Sequence, residues 1–243
     1  MKKLLLAIIL FLTVILITLP LIRANMARIR PSEVYYDITI ILDAGHGGKD
    51  GGASSKEGLI ERDLVLSITQ MVEENLRLQG FNVIMTRSDN QDLASEYASN
   101  RKREDLANRV KILNSNENAI AVSIHANATT HTRWHGAQVF YDAKSLENKE
   151  FATHIMTAMR NNIKGLTREQ RPISNIYILR HSQIPTALVE VGFLSHPEEA
   201  RLLSDEAYQQ LIAYAIFEGI LSYIEFTEQH EQSELIEPQL EKD

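Results

Sequence analysis

YYDITIILDAGHGGKDGGA, residues 35–53, is the stretch that decides the architecture. Its first part, Tyr35–Leu42, is apolar and β-branched with little polar alternation, the pattern of a strand buried in a sheet. The run ends at Asp43 and enters a glycine-rich turn, Ala44–Ala53, so the strand hands its last residues to a loop. Beyond that loop, Leu64, Val65, Ile68, Met71, Val72 and Leu76 recur at helical spacing, predicting an amphipathic helix from about Glu61 to Leu78. Gly80 is its C-terminal cap candidate, and Phe81–Met85 reads as a second strand.

The same alternation continues along the chain. Ser88–Asn100 is a polar loop. Arg101–Asn114 places Leu106, Val110 and Leu113 on one helical face, and Ala119–Ile124 is a third buried strand followed by the loop Ala126–His135. Ala137–Tyr141, a helix near Leu146–Ile163, Ile176–Leu179 and Thr186–Val191 supply the remaining core segments. A last helix, about Asp205–Tyr223, turns Leu211, Ile212, Ala215, Ile216 and Ile220 inward. Apolar strands interleaved with amphipathic helices predict an α/β fold, a three-layer αβα sandwich around a mostly parallel twisted sheet. Sheets of this kind place their sites beyond the carboxyl ends of the strands.

The chain has 243 residues and 44% hydrophobic content, which suits one domain with appendages: 1–33, 34–225 and an acidic extension, 226–243. There are 25 basic and 32 acidic side chains, and the excess sits mainly in the terminal stretch from Glu225 to Asp243. That stretch reads as a solvated, partly disordered tail. The body is nearly neutral, with no basic face for nucleic acid. Cysteine is absent, which excludes disulfides, thiolate metal sites and cysteine nucleophiles.

At the other end, Lys2 and Lys3 precede an uncharged run, Leu4–Ile22. Its length matches a membrane span of about 20 residues better than a signal core of about 7–15. Arg23 and Asn25 crowd the candidate cleavage sites, so the run is read as an uncleaved anchor followed by a linker to about Glu33. Arg23, Arg28 and Arg30 beyond the span run against a positive-inside reading for export, so charge alone leaves the orientation open.

Polar residues at the predicted strand ends carry the chemistry. His46 lies in the glycine-rich loop, Glu61 starts the following helix, and His125 follows the third strand. Taken singly, His125 reads as a hydrogen-bonded structural histidine, His46 as a turn residue and Glu61 as a carboxylate favoured at a helix N-terminus. Taken together, two imidazoles and a carboxylate make a catalytic zinc set that leaves a fourth position for water. Glu190, inside the apolar strand ALVEVGF (187–193), is costly to bury unless it is paired or functional. Its expected role is general base towards that water and then proton donor to the leaving amine. The glycine-rich run lacks both GxGxxG and a P-loop Lys-Ser/Thr ending, which argues against phosphate binding.

LDAGHGGKDGGA, GLIERDL, MTRSD, LANRVKILN, SIHANA and VEVGFLSHPEEARLL occur in the order seen in the zinc-dependent N-acetylmuramoyl-L-alanine amidases of the Amidase_3 type, and residues 37–224 resemble that family. The resemblance implies that His46, Glu61 and His125 hold Zn2+ and that Glu190 is the catalytic glutamate. It leaves Asn127 as a substrate contact and Arg109 as a brace of helix packing. Ala44 and Gly51 stand where many members have Pro, and His196 where many have Asn; no ligand is lost. His131, His135, His154, His181 and His230 have no motif support.

The implied substrate is peptidoglycan, cut between the lactyl group of N-acetylmuramic acid and L-alanine. The implied location is extracytoplasmic, tethered to the cytoplasmic or forespore membrane, or secreted if cleaved. The apolar span joined directly to the body, with WHGAQVFY and LEN, is closest to the germination-specific members that mature spore cortex. A vegetative autolysin of the same chemistry, a zinc peptidase acting on another amide, and a non-catalytic peptidoglycan-binding module are the alternatives. An activating partner protein is left unspecified.

Overall fold

In the computed structural model, β1 (Thr39–Ala44) is the second strand from one edge of a six-stranded sheet, flanked by β2 (Asn82–Met85) and β3 (Ala119–Asn127). The structure describes residues 37–240. The expected anchor and linker therefore lie outside the described residues. No helix among those described is long and apolar enough to cross a membrane.

The sheet is completed by β4 (Gln138–Tyr141), β5 (Arg171–Pro172) and β6 (Thr186–Phe193), in the order β2-β1-β3-β6-β4-β5. All pairings are parallel except that of β4 with β6. The helices are α1 (Glu61–Leu78), α2 (Arg101–Leu113), α3 (Leu146–Asn162), α4 (Tyr177–His181), α5 (Pro197–Leu203) and α6 (Glu206–Leu240). The expected mostly parallel αβα sandwich is what the chain adopts.

Strand residues alternate between the two faces. Ile40 and Leu42 of β1, Ile120, Val122 and Ile124 of β3, and Val189 and Val191 of β6 join the large core beneath α1, α3 and α6. Ile41 and Ala121 point the other way, into a small cluster with Leu113 of α2 and Ile178 of α4. One face of the sheet is thus thickly covered, and the other is covered by a single helix and a short turn of helix.

Two expected segments differ. Ile176–Leu179, read with the apolar core segments, falls largely in the short helix α4, because it bridges two sheet strands across the thin face rather than pairing within the sheet. The last helix does not end near Tyr223. Its inward face continues through the buried Ile224 to Phe226, which packs on the same core, and the helix runs through the Glu- and Gln-rich stretch to Leu240. Glu, Gln and Leu are good helix formers, so the acidic composition does not interrupt it.

Candidate active site

His46, Glu61 and His125 converge at the carboxyl end of the sheet. His46 Nε2 and His125 Nδ1 each lie 3.0 Å from the same oxygen, Glu61 Oε1. Their candidate ligand atoms all fall within 4.8 Å of one another, around a space a single cation would span. In a tetrahedral site with bonds of about 2.0–2.2 Å, neighbouring donors sit roughly 3.3 Å apart, so this spacing fits a small divalent ion.

Each side chain is placed by its element. Glu61 is the first residue of α1, buried, with Oε2 accepting the Ala53 N–H at 2.8 Å and Oε1 accepting the Ala126 N–H at 3.1 Å. His125 sits near the end of β3, and His46 caps the β1 loop in a left-handed conformation, φ 62°. His46 is the only non-glycine residue with positive φ among those described. Such a conformation costs of order 1–3 kcal/mol and persists only where the surroundings enforce it.

The enforcement is visible. Arg109, fully buried on α2, donates to Asp43 Oδ1 at 2.7 Å, to the Ala44 carbonyl at 2.6 Å and to the His46 carbonyl, while its Nε reaches Asp105 at 2.9 Å. Arg87 adds hydrogen bonds to the Ala44 and Gly45 carbonyls. Arg109 therefore does more than brace a helix, because it clamps the backbone that carries His46.

Two glycines let the pieces approach. A Cβ on Gly45 would stand 2.3 Å from the His125 ring. One on Gly52 would stand 2.4 Å from Glu61 Oε2 and 2.7 Å from His46 Cδ2, at φ +68°.

Charges follow from this packing. Burial alone would raise the Glu61 pKa, yet hydrogen bonds and charge from His125 and His46 outweigh it and hold the carboxyl far below its usual range. Burial disfavours the His125 cation, but Glu61, Glu190 and Asp43 together raise its pKa. Glu190 differs. Burial pushes its pKa up to about 7, and Oε2 is buried with no hydrogen-bond partner. Its Cα pairs with that of His125 across the parallel β3–β6 ladder, so its side chain enters the same cavity, a space of about 240 Å³ between α2 and α4.

The structure thus brings His46, Glu61, His125 and Glu190 together. Asn127 lies beyond His125, past a register shift, half-buried and paired by its Cα with Phe193; it is not among the residues lining the Glu190 cavity. Asp50 was not singled out from the sequence. Its Oδ1 stands 3.1 Å from His46 Nδ1, an ion-pair separation, and its other oxygen lies 3.4 Å from Lys102 Nζ. The available signal was its position four residues after His46, within a turn tight enough to fold back.

A family model described as N-acetylmuramoyl-L-alanine amidase matches residues 40–222. The germination-specific N-acetylmuramoyl-L-alanine amidase of Bacillus subtilis is 44% identical over 198 residues, covering 80% of this chain and 82% of that protein. The CwlD amidase from Clostridioides difficile, solved in complex with the GerS lipoprotein, superposes with a TM-score of 0.75 at 39% identity, covering 77% of this chain and 98% of that one. The amidase AmiC2 of Nostoc punctiforme gives 0.68 at 30% identity, covering 79% and 99%.

Proposed function

Since this chain belongs to the N-acetylmuramoyl-L-alanine amidase family, we propose that it cuts the lactyl–L-alanine amide of peptidoglycan as a zinc enzyme of spore-cortex maturation. The carrying observation is the convergence of two imidazole nitrogens on one Glu61 oxygen beside a buried, unpartnered Glu190 oxygen. The cortex role is supported by the germination-specific relative and by the CwlD structure.

His46, Glu61 and His125 would hold Zn2+, since two imidazoles, one carboxylate and no cysteine form the donor set of a catalytic site with an open position. Zinc bound there supplies Lewis acidity towards the lactyl carbonyl and lowers the pKa of water. Asp50 sets its carboxylate 3.1 Å from His46 Nδ1, an ion-pair contact without a formed hydrogen bond, on the side of the ring opposite the Nε2 that faces Glu61. Glu190, with a pKa near the working range and a free oxygen, takes the proton of the attacking water and delivers it to the L-alanine nitrogen as the C–N bond breaks. Leu106, Ile176, Ile178 and Leu188 wall the cavity and exclude bulk water from that transfer.

The body acts outside the cytoplasmic membrane, where its substrate lies, held there by the apolar segment Leu4–Ile22. A lipoprotein of the kind bound in the Clostridioides structure would be its binding partner.

Incubation with purified cortex sacculi, zinc-loaded or after chelation, tests this by muropeptide mass spectrometry. Release of L-Ala-peptides and strands ending in free lactyl groups is expected, lost on chelation and restored by zinc. Cleavage at another amide, or cleavage insensitive to chelation, would reject the reading.

A further inference from the structure

We propose that Trp134, Arg133 and Arg168 form a glycan-strand subsite beside the catalytic cavity, one that takes a muramoyl residue whose lactyl carboxylate is already free. The proposal rests on the amidase reading and extends it to how the enzyme sits along its polymer.

Trp134 is the only tryptophan of the chain, and the residue is 45% exposed in the connection between β3 and β4. The Arg133 guanidinium lies 5.3 Å from the centre of its ring. Arg168, on the facing strap after α3, donates to the His135 carbonyl at 2.9 Å and to Gln138 Oε1 at 3.1 Å. Among the described residues, neither guanidinium has a carboxylate partner. Between them lies a shallow pocket of about 250 Å³. An exposed aromatic ring with one guanidinium over it and a second lining the same pocket, neither facing a carboxylate, is a surface that suits a ligand apolar in the middle and anionic at its edge.

Its place in the fold ties it to the reaction. The Arg168 guanidinium stands 5.2 Å from the ring of Phe193, the last residue of β6, the strand that carries Glu190. Phe193 pairs with Asn127 at the end of the strand that carries His125, and Gln138, just after the tryptophan loop, pairs with Glu190 itself. The patch is therefore at the catalytic end of the sheet, with neighbouring strands about 4.8 Å apart.

The loop is also held in place. One carboxylate, Glu199, accepts the Gly136 N–H and the Phe193 N–H, each at 2.8 Å, and the His135 ring stacks on His196 with centres 5.4 Å apart. A held aromatic platform binds with less ordering cost than a mobile one.

The chemistry of the ligand follows. The apolar C–H face of a pyranose packs on an indole face, and a guanidinium pairs with a carboxylate through two parallel hydrogen bonds. A glycan strand offers both. Hydrolysis of the muramoyl amide places the water's hydroxyl on the lactyl carbonyl and its hydrogen on the L-alanine nitrogen, so each cut leaves a lactyl carboxylate on the strand. The enzyme's own product thus carries the anion this patch fits, and a stripped residue bound here sets a neighbouring, peptide-bearing one at the cavity.

With a single tryptophan among eight tyrosines, fluorescence excited to the red of tyrosine absorption reports on position 134 of the full chain. Titration with peptide-free glycan strands should give a saturable change, weakened about tenfold by esterifying the lactyl carboxylates or by Arg133→Gln. In turnover, Trp134→Ala and Arg133→Gln should each raise KM for partly stripped strands by about fivefold to tenfold with kcat unchanged. Both should keep wild-type kinetics on a soluble disaccharide-peptide, which shows the catalytic fold intact. No fluorescence response to the strands, an equal response to free stem peptide, or a response only to phosphatidylglycerol vesicles would overturn the subsite. Failure of the wild type to release L-Ala-peptide from the soluble substrate would instead overturn the amidase reading.

Discussion

The two faces of the sheet divide the labour of this molecule. Beneath α1, α3 and α6 lies a continuous apolar core in which residues such as Leu76, Phe151, Ile155 and Ile216 are fully buried. Across the sheet, under α2 and α4, the same strands present Asp43, Ser123, His125 and Glu190, and the buried contacts are largely charged or hydrogen-bonded. One strand supplies both, since alternate residues point in opposite directions. The thick face supplies stability by burial, and the thin face uses that stability to hold charges at fixed distances. Damage to the two faces should therefore separate in assay.

The largest effect lies wholly on the thin face. Glu190→Gln keeps shape and removes the proton acceptor, so kcat for L-Ala-peptide release should fall about a thousandfold, of order 4 kcal/mol in the barrier. Thermal stability and bound zinc should stay near wild type, because Glu190 Oε2 has no protein partner to lose. Measurable turnover within tenfold of wild type would remove Glu190 from the mechanism.

Next comes a matched pair. Arg109→Gln leaves the fully buried Asp43 without its cation and should cost about 3–5 kcal/mol in urea unfolding. Leu76→Ala opens a cavity in the thick core and should cost about 2–5 kcal/mol. Similar losses of stability should carry different kinetics. The first also frees the His46 carbonyl and lowers kcat, whereas the second leaves the kcat of the folded fraction unchanged. Acid probes the thin face on its own. Burial opposes the Asp43 carboxylate, but Arg109, Ser123 and Thr86 overcome that and hold its pKa below the usual value of 3.8. A depressed carboxylate contributes stability that is full above its unfolded pKa and is lost as pH falls through the folded one. Wild type should thus lose stability in that acid range more steeply than Asp43→Asn.

The same contrast explains what the sequence disclosed. The thick face is written in apolar periodicity, so Glu61–Leu78 was legible to the residue and the αβα layering followed from it. The strand ends were legible too, since His46, Glu61, His125 and Glu190 are conspicuous in apolar or glycine-rich surroundings. The clamp around them was not. Arg109 sits on an amphipathic helix where an arginine ordinarily faces water, and only the thinness of that layer sends it inward to Asp43 and the β1 loop. Ile176–Leu179 was legible as a core segment but not as a helix, because a short apolar run has the same appearance in a strand and in one turn of helix.

Asp50 is the residue that pattern could least reveal, and it gives a smaller effect. It is 40% exposed on its side chain and touches His46 through Nδ1. Asp50→Asn should weaken zinc binding by about 10–100-fold in competition with a chelator, with kcat at saturating zinc reduced far less. An unchanged zinc affinity would show that the loop backbone and Arg109 orient His46 unaided.

The smallest expected effect tests the thick face where it meets solvent. Ser145 caps α3, its hydroxyl accepting the Glu147 N–H at 3.0 Å and the Asn148 N–H at 3.4 Å. Removing a cap of this type costs about 1 kcal/mol, a fall of a few degrees in Tm. Ser145→Ala should show that fall with zinc affinity and kcat both unchanged, since α3 meets the sheet through the apolar core and through Asn148, whose Oδ1 accepts the Thr186 N–H at the start of β6, the end of that strand away from Glu190. If kcat fell as well, the two faces would be mechanically coupled through the sheet. The thin-face geometry would then depend on continuous support from behind, rather than on its own clamp of Arg109 and Arg87.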